Sequence, residues 1–357
     1  MTETKENYIC AVPFSSLEVH DHKRFLCCAS WLLKYLPEDS SSKDAWFSKE
    51  ADEVRDSMLD GSYRYCDNNQ CPYLHQLETF GHNIGKANPL FHKDSLPPAL
   101  EEQIKKYKTN KKIYPTIAQF SMDRSCNLAC PSCRLDMFIA DSKKIKKVKE
   151  DIEDIQTNFS KYIEVLYITG SGDPFISVGF RDFLRTLDSK KWPRLKKIHL
   201  HTNATKWNKE MWDSMKAIWP YVKTCEISID AGTKDTYENK VRINGKWDEL
   251  ISNLKFIATI PELQTVKTSF VVQKHNYKEM KLFYDLMLEI FGKKASVYFG
   301  KINNWGTFSN EEFETHKVWN ETHNEYSSFL KEVNRTIPAK QLWHNLQEFV
   351  EPKKSMI

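Results

Sequence analysis

The sequence predicts an α/β protein: a partial (β/α)6 barrel of the TIM type, with a small cysteine-rich N-terminal domain and a helical C-terminal tail. Three observations carry that prediction. From about residue 115, apolar β-type runs alternate with helix-like stretches. Most of the nine cysteines fall in two groups. The tail from Asn310 onward is amphipathic, helix-like and aromatic-rich.

In chain order, residues 1–80 read as the cysteine-rich domain. A helix is expected from about Lys49 to Leu59, ended by Gly61, a residue suited to a helix C-terminus. Residues 81–114 read as a linker with one short helix and a basic run, Lys105 to Lys112, whose plainest role is a solvated surface. Residues 115–306 form the core. Its β-type runs are Thr116–Met122, Ile163–Thr169, Lys197–Thr202, Thr224–Ile229, Val266–Gln273 and Ser296–Lys301. Helical stretches lie around Lys144–Asn158, Gly179–Leu187, Lys209–Ile218, Lys246–Ile257 and Tyr277–Ile290. Strand–helix alternation at this spacing implies a parallel sheet under helices, with the chemistry at the carboxyl ends of the strands. Residues 307–357 form the tail.

The 357 residues carry 52 basic and 48 acidic side chains, a formal charge of +4. That balance is too even to imply nucleic acid or a membrane surface. Met1 to Asn7 is polar, without the apolar core of a signal peptide. No uncharged apolar run approaches the roughly 18–20 residues that cross a bilayer. A cytoplasmic protein is expected. Disulfides are disfavoured in that compartment, so clustered cysteines there point to metal binding or catalysis.

Cys126, Cys130 and Cys133, in Cys-Asn-Leu-Ala-Cys-Pro-Ser-Cys, directly follow the first core strand. Spacings of this kind let one loop turn three thiolates toward a point, which suits iron–sulfur clusters or zinc. Three is the informative count, because a closed site takes four protein ligands and three leave one position open. The alternatives are a zinc site borrowing a distant fourth ligand, or chance.

At this point the chain resembles the radical S-adenosylmethionine (SAM) enzymes, whose signature is this cysteine spacing after the first strand of a partial barrel. The resemblance implies a 4Fe–4S cluster whose open iron is chelated by SAM. It further implies reductive cleavage of SAM to a 5′-deoxyadenosyl radical that abstracts a substrate hydrogen. It also implies an electron donor such as flavodoxin or ferredoxin. Further matches follow in order. Gly170-Ser171-Gly172-Asp173-Pro174 resembles the family's glycine-rich GGEP-type turn, with Ser171 and Asp173 as departures. Glycines let a backbone approach a ligand, and the carboxylate is expected to accept hydrogen bonds from the SAM ammonium. His201-Thr202-Asn203 resembles the Thr-Asn-Gly ending of the third strand, and Ile227 to Ala231 resembles the Ser-Ile-Asp-Ala segment. Ser228 and a later arginine, Arg242, are the implied contacts to the SAM carboxylate or ribose, although one extra residue precedes Arg242. Val271-Val272-Gln273 with Asn276-Tyr277, and Ile302 to Gly306, continue the resemblance. Ser132 stands where an aromatic residue usually packs on adenine; Met137 or Phe138 are the substitutes at hand.

The earlier cysteines resemble a SPASM- or twitch-type auxiliary-cluster domain, placed here before the core. Val19 to Cys28 resembles that family's hairpin, with His22 in place of the turn glycine. The resemblance implies Cys10, Cys27, Cys66 and Cys71 as ligands of a second 4Fe–4S cluster, with Cys28 the alternative to Cys27. Four loosely spaced cysteines make an equally good zinc site. His20 and His22 are further possible ligands, though a polar hairpin tip is their plainer home. Cys225 reads as a small apolar residue; a role as hydrogen-atom donor is the sharper alternative.

Peptide or protein modification is the leading expectation for substrate class. A small-molecule oxidoreductase and a non-catalytic metal-binding module are the competitors. Neither substrate, catalytic base nor hydrogen donor is readable from these residues.

Overall fold

The computed structural model describes residues 4–38, 40–80 and 88–350. Eleven strands form among them: β1 (Tyr8–Cys10), β2 (Ser16–His20), β3 (Lys23–Phe25), β4 (Leu90–His92), β5 (Ile117–Ser121), β6 (Val165–Ile168), β7 (Lys197–Thr202), β8 (Val222–Ser228), β9 (Thr265–Val272), β10 (Ala295–Lys301) and β11 (Trp343–His344). Nine of them make one sheet in the order β11-β10-β9-β8-β7-β6-β5-β2-β3. The six expected core strands, β5 to β10, lie side by side in chain order and parallel. The connections are helices: Ser142–Phe159, Val178–Thr186, Lys209–Asp213, Trp247–Ala258 and Met280–Phe291.

Along these strands buried and half-buried positions alternate, as in β7. A parallel sheet buried on both faces reads as a continuous apolar run; this one does not. Its second face is polar, carrying Gln119, Tyr167, His199, His201, Glu226, Ser228, Lys267 and Tyr298 at half-buried positions. These groups satisfy one another: His199 Nδ1 lies 2.7 Å from Thr224 Oγ1, and Lys267 Nζ pairs with Glu226 at 2.9 Å. Burial pushes His199 down to about 3, so it is a neutral imidazole.

The N-terminal hairpin does not head a sheet of its own. β2 pairs in parallel register with β5, from Ser16 opposite Ile117 to His20 opposite Ser121, and β3 closes that edge. The turn residues Asp21 and His22 both adopt positive φ (45° and 65°), as a tight hairpin turn requires. His22 takes the left-handed conformation expected of glycine, and its ring is held by Asp151 on the long Ser142–Phe159 helix. Arg24, nearly buried, reaches Asp151 at 3.0 Å and Asp154 at 3.1 Å on the same helix.

Two sequence expectations change. The 81–114 stretch, of which residues 81–87 lie outside the described residues, is more than a linker. β4 pairs antiparallel with β1, and a helix over Pro98–Asn110 buries Leu100, Ile104 and Tyr107. The basic run points outward from that helix, with Lys111 Nζ 3.7 Å from the Tyr107 ring centroid. The tail is not wholly helical: after helices Asn310–His316 and Tyr326–Thr336, β11 adds a strand to β10. Strands of two or three residues carry too little periodicity to be seen in sequence. One continuous apolar core runs from Ile9 to Leu346. Among the described residues, no helix is long and apolar enough to cross a membrane.

The Arg24–Asp151 contact generates a prediction. Asp151→Ala leaves the buried Arg24 guanidinium with Asp154 as its one remaining carboxylate and should lower unfolding free energy by about 1.5–3 kcal/mol in urea titration. A loss below about 1 kcal/mol would mean that the hairpin does not depend on this clamp.

Candidate metal centre

The loop between β5 and the Ser142–Phe159 helix carries Cys126, Cys130 and Cys133. It is shaped by its own backbone. Cys126 and Phe138 exchange both amide hydrogen bonds (2.7 and 3.2 Å), closing the loop at its base. Cys133 and Arg134 amides both donate to the Cys130 carbonyl, at 2.8 and 2.9 Å, which folds the last cysteine back on the second. Cys126 and Cys130 are buried, with Leu128 beneath them, and Cys133 is exposed.

The β6 turn is fixed to this loop. A Cβ on Gly172 would stand 2.4 Å from the Asp123 carbonyl oxygen and 2.8 Å from that of Ser125, so the two backbones touch only because the residue is glycine. The Asp173 amide donates to the Ser125 carbonyl at 2.8 Å, and Ser171 Oγ to that of Ser121 at 2.7 Å. Gly170 is exposed, and the nearest atoms a Cβ there would meet lie 3.4 and 3.5 Å away.

Asp173 is engaged by its own chain. Its carboxylate is buried and accepts from the Phe175 amide (2.9 Å), Thr202 Oγ1 (2.7 Å) and the Asn203 amide (2.8 Å). It braces the end of β6 against the end of β7, and its acceptor capacity toward a ligand ammonium is largely committed. Burial raises its pKa while those three donors lower it.

Asn203 and Arg242 converge on the cysteines. Asn203 Nδ2 lies 3.5 Å from Cys126 Sγ and 3.1 Å from Asn127 Oδ1. Arg242 sends one nitrogen to Cys130 Sγ (3.5 Å) and another to Asp230 Oδ2 (2.8 Å). Before Arg242 the chain makes a π-helical turn over Tyr237–Val241, closed by the Arg242 amide on the Tyr237 carbonyl. Single π turns are how one inserted residue is accommodated within a helix. Ser228 sits farther along the polar face, hydrogen-bonded to His201 (3.0 Å) and Ser269 (3.2 Å).

Sequence reasoning missed Asp230, Asn127 and Tyr237. Asp230 was legible as the acid two residues past Ser228. The other two had no signal. A cavity of about 720 Å³ opens on the outer side of the loop, lined by Arg124, Arg134, Phe138 and Lys144. Gly170, Asn203, Ser228 and Arg242 do not line it.

Cys10, Cys27, Cys66 and Cys71 are brought into one neighbourhood. They act electrostatically on one another, and burial raises all four thiols, Cys66 to about 12. Cys28 turns aside to Ser30 Oγ at 3.2 Å. His22 is engaged by Asp151, and His20 lies 3.7 Å from Glu18. Tyr73, two residues past Cys71, acts electrostatically on Cys10, Cys27 and Cys71 and also on Tyr167 and Tyr298 of the polar face. The second cysteine group therefore borders that face. Cys225 is buried in the apolar core, on the helix-packed side of β8.

Among the described residues, no three Cys, His, Asp or Glu side chains are drawn to the spacing of a bound ion. The donor set nonetheless fits an iron–sulfur group at Cys126, Cys130 and Cys133. Two side-chain donors already point at the sulfurs, and two buried donor atoms beside them, Tyr237 Oη and Arg242 Nε, have no partner. An unmet buried donor costs about 1–3 kcal/mol, a cost that an incoming sulfur would relieve.

Burial pushes Cys130 up to about 11 against the pull of Arg242. Metal loading must therefore release protons, and it weakens as pH falls. In metal-free protein, alkylation of Cys130 should accelerate near pH 11 instead of near 9. Because the folded pKa is raised, the thiol's contribution to stability is complete below about 9 and disappears as pH rises through about 11. Gly172→Ala should cost about 1–3 kcal/mol in thermal or urea unfolding, as overpacking does.

Residues 120–287 match the Radical SAM superfamily. No curated protein matches the chain. Among solved structures, the chain is similar to Streptococcus suis SuiB bound to S-adenosylmethionine, at 16% identity and a TM-score of 0.44, covering 74% of this chain and 57% of that one. It is also similar to anSMEcpe with bound AdoMet (14%, TM-score 0.44, 64% and 62%) and to HydG, a maturase of the [FeFe]-hydrogenase (12%, TM-score 0.42, 72% and 60%). The chain spans less than two thirds of the length of each. The three cysteines, the Gly170–Pro174 turn and Arg242 all lie inside the residues that match that superfamily.

Proposed function

We propose that the protein binds a 4Fe–4S cluster at Cys126, Cys130 and Cys133, binds SAM beside it, and uses both to abstract hydrogen from a substrate. The observation that carries this reading is the convergence of Asn203 and Arg242 on the sulfurs of Cys126 and Cys130, inside the matched superfamily region. When bound, cluster and SAM supply reductive sulfonium cleavage and a 5′-deoxyadenosyl radical. The chain's residues do the rest. In the Gly170–Ser171–Gly172 turn, Gly170 offers an open backbone to SAM while Ser171 and Gly172 seat the turn on the cysteine loop, and Ser228 offers a hydroxyl. Asp173 holds the turn against Asn203, and Arg242, neutralised in part by Asp230, keeps positive charge at the cysteines. The parallel strands β5 to β10 form the partial (β/α)6 barrel in this reading, their polar face lining the substrate chamber.

The 1–80 segment is the auxiliary-cluster domain of the SPASM/twitch kind, with Cys10, Cys27, Cys66 and Cys71 holding a second 4Fe–4S cluster. Cys27 is favoured over Cys28 because it acts on all three other sulfurs while Cys28 bonds Ser30. Zinc is the competing occupant. The protein works in the cytoplasm, with flavodoxin or ferredoxin as electron donor. The substrate class is a peptide or protein; oxidation of a small polar molecule is the second reading, favoured by the hydrogen-bonding side chains of the polar face.

Anaerobically reconstituted protein should hold about eight iron atoms, two clusters of four. Reduced with dithionite, it should convert SAM to 5′-deoxyadenosine, detected by chromatography. Replacing Cys126, Cys130 and Cys133 with Ala should abolish that conversion, and retained conversion would sink the assignment. Replacing Cys10, Cys27, Cys66 and Cys71 with Ala should remove about half of the iron. If zinc, and no iron, is what leaves, the second site is a structural zinc site.

A further inference from the structure

The turn that delivers Arg242 also buries a hydroxyl that the described structure leaves without a use. Tyr237 is fully buried, and its Oη has no hydrogen-bond partner. Its place is specifically built. A Cβ on Gly245 would stand 2.5 Å from Tyr237 Cε1 and 2.9 Å from Cζ, so the glycine clears room for the distal end of the ring. Trp247 packs beside that ring, with centroids 5.5 Å apart. The π turn that begins at Tyr237 ends at Arg242, whose guanidinium meets Cys130 Sγ in the cysteine loop. The polar groups that act on Tyr237 are Arg242, Cys130, Asp230 and Cys126. Burial keeps the phenol protonated, so Oη is a standing donor. Arg242 repeats the pattern: its Nε is buried without a partner while a neighbouring nitrogen reaches Cys130 Sγ. A slot of this shape needs only a phenyl ring for packing. A donor held there calls for an acceptor. The Asp230 carboxylate is already taken by Arg242 and the Val271 amide, so the acceptors to which a further donor can be added are the sulfurs of the cysteine loop.

We propose that Tyr237 is a positioning residue for the metal centre on Cys126, Cys130 and Cys133, its hydroxyl donating to a sulfur of that centre and, with Arg242, stabilising the reduced state. The proposal rests on the reading of this loop as an iron–sulfur site. Reduction adds negative charge to the sulfurs, so donors aimed at them raise the reduction potential. Arg242 supplies charge and Tyr237 a neutral donor; no electron or proton leaves either one.

The test compares the parent protein with Tyr237→Phe, both reconstituted anaerobically with iron and sulfide and matched for iron content. A variant lacking Cys10, Cys27, Cys66 and Cys71 serves as the background, so that a single cluster is titrated. Spectroelectrochemical titration should give a more negative midpoint potential for Tyr237→Phe, and no shift for Tyr277→Phe, whose hydroxyl bonds Glu325 and Ser328 elsewhere. A second measurement needs no cluster. Metal-free Tyr237→Phe should be at least as stable in urea as the metal-free parent, because the hydroxyl removed has no partner. Identical potentials at equal iron content would overturn the proposal, and so would a metal-free variant clearly less stable than its parent. If the parent takes up no iron at this loop, the iron–sulfur reading itself fails, a result distinct from either of these.

Discussion

The buried pair of Arg242 and Asp230 is the contact on which the site depends. Asp230 sits at the end of β8 with φ of 63°, and its carboxylate accepts the Val271 amide of β9 at 2.8 Å. Asn276 bonds the Asp230 carbonyl, also at 2.8 Å. One residue thus ties two strand ends together and turns a carboxylate toward the cysteine loop. Arg242 takes that carboxylate and passes charge on to Cys130, while the neighbouring Ile243 carbonyl accepts the Ala129 amide at 3.0 Å. A buried charge without its partner costs several kcal/mol, so neither half of this arrangement holds its position alone.

The same economy explains Asp173. A carboxylate near a cysteine loop invites a ligand-binding role, yet burial penalises its charge, and only committed donors offset that penalty. The chain supplies three, from Phe175, Thr202 and Asn203. Asp173 then orients Asn203, whose amide reaches Cys126. It thereby fixes the residue that touches the sulfur.

The N-terminal segment is integrated with the core more closely than its composition suggests. Its hairpin extends the sheet and is clamped by Arg24 to the helix that follows the cysteine loop. Its cysteines border the polar face through Tyr73, which acts on Tyr167 and Tyr298.

Much of this was legible in the sequence for physical reasons. The six core strands and their helices were visible because period-2 and period-3.6 patterns each persisted over enough residues to be distinguished. Cys126, Cys130 and Cys133 were legible because short spacing confines three thiols to one loop whatever the rest of the chain does. The grouping of Cys10, Cys27, Cys66 and Cys71 was suggested only by resemblance. Short strands such as β4 and β11 were hidden, since their pairing depends on a distant edge and not on their own pattern. What only the tertiary structure decided was which polar groups would be used up. Whether Asp173 faces a ligand or a backbone, and whether Tyr237 finds an acceptor, depends on contacts between residues far apart in sequence. Sequence sets the chemistry each side chain can offer; burial and packing decide which offers are already taken.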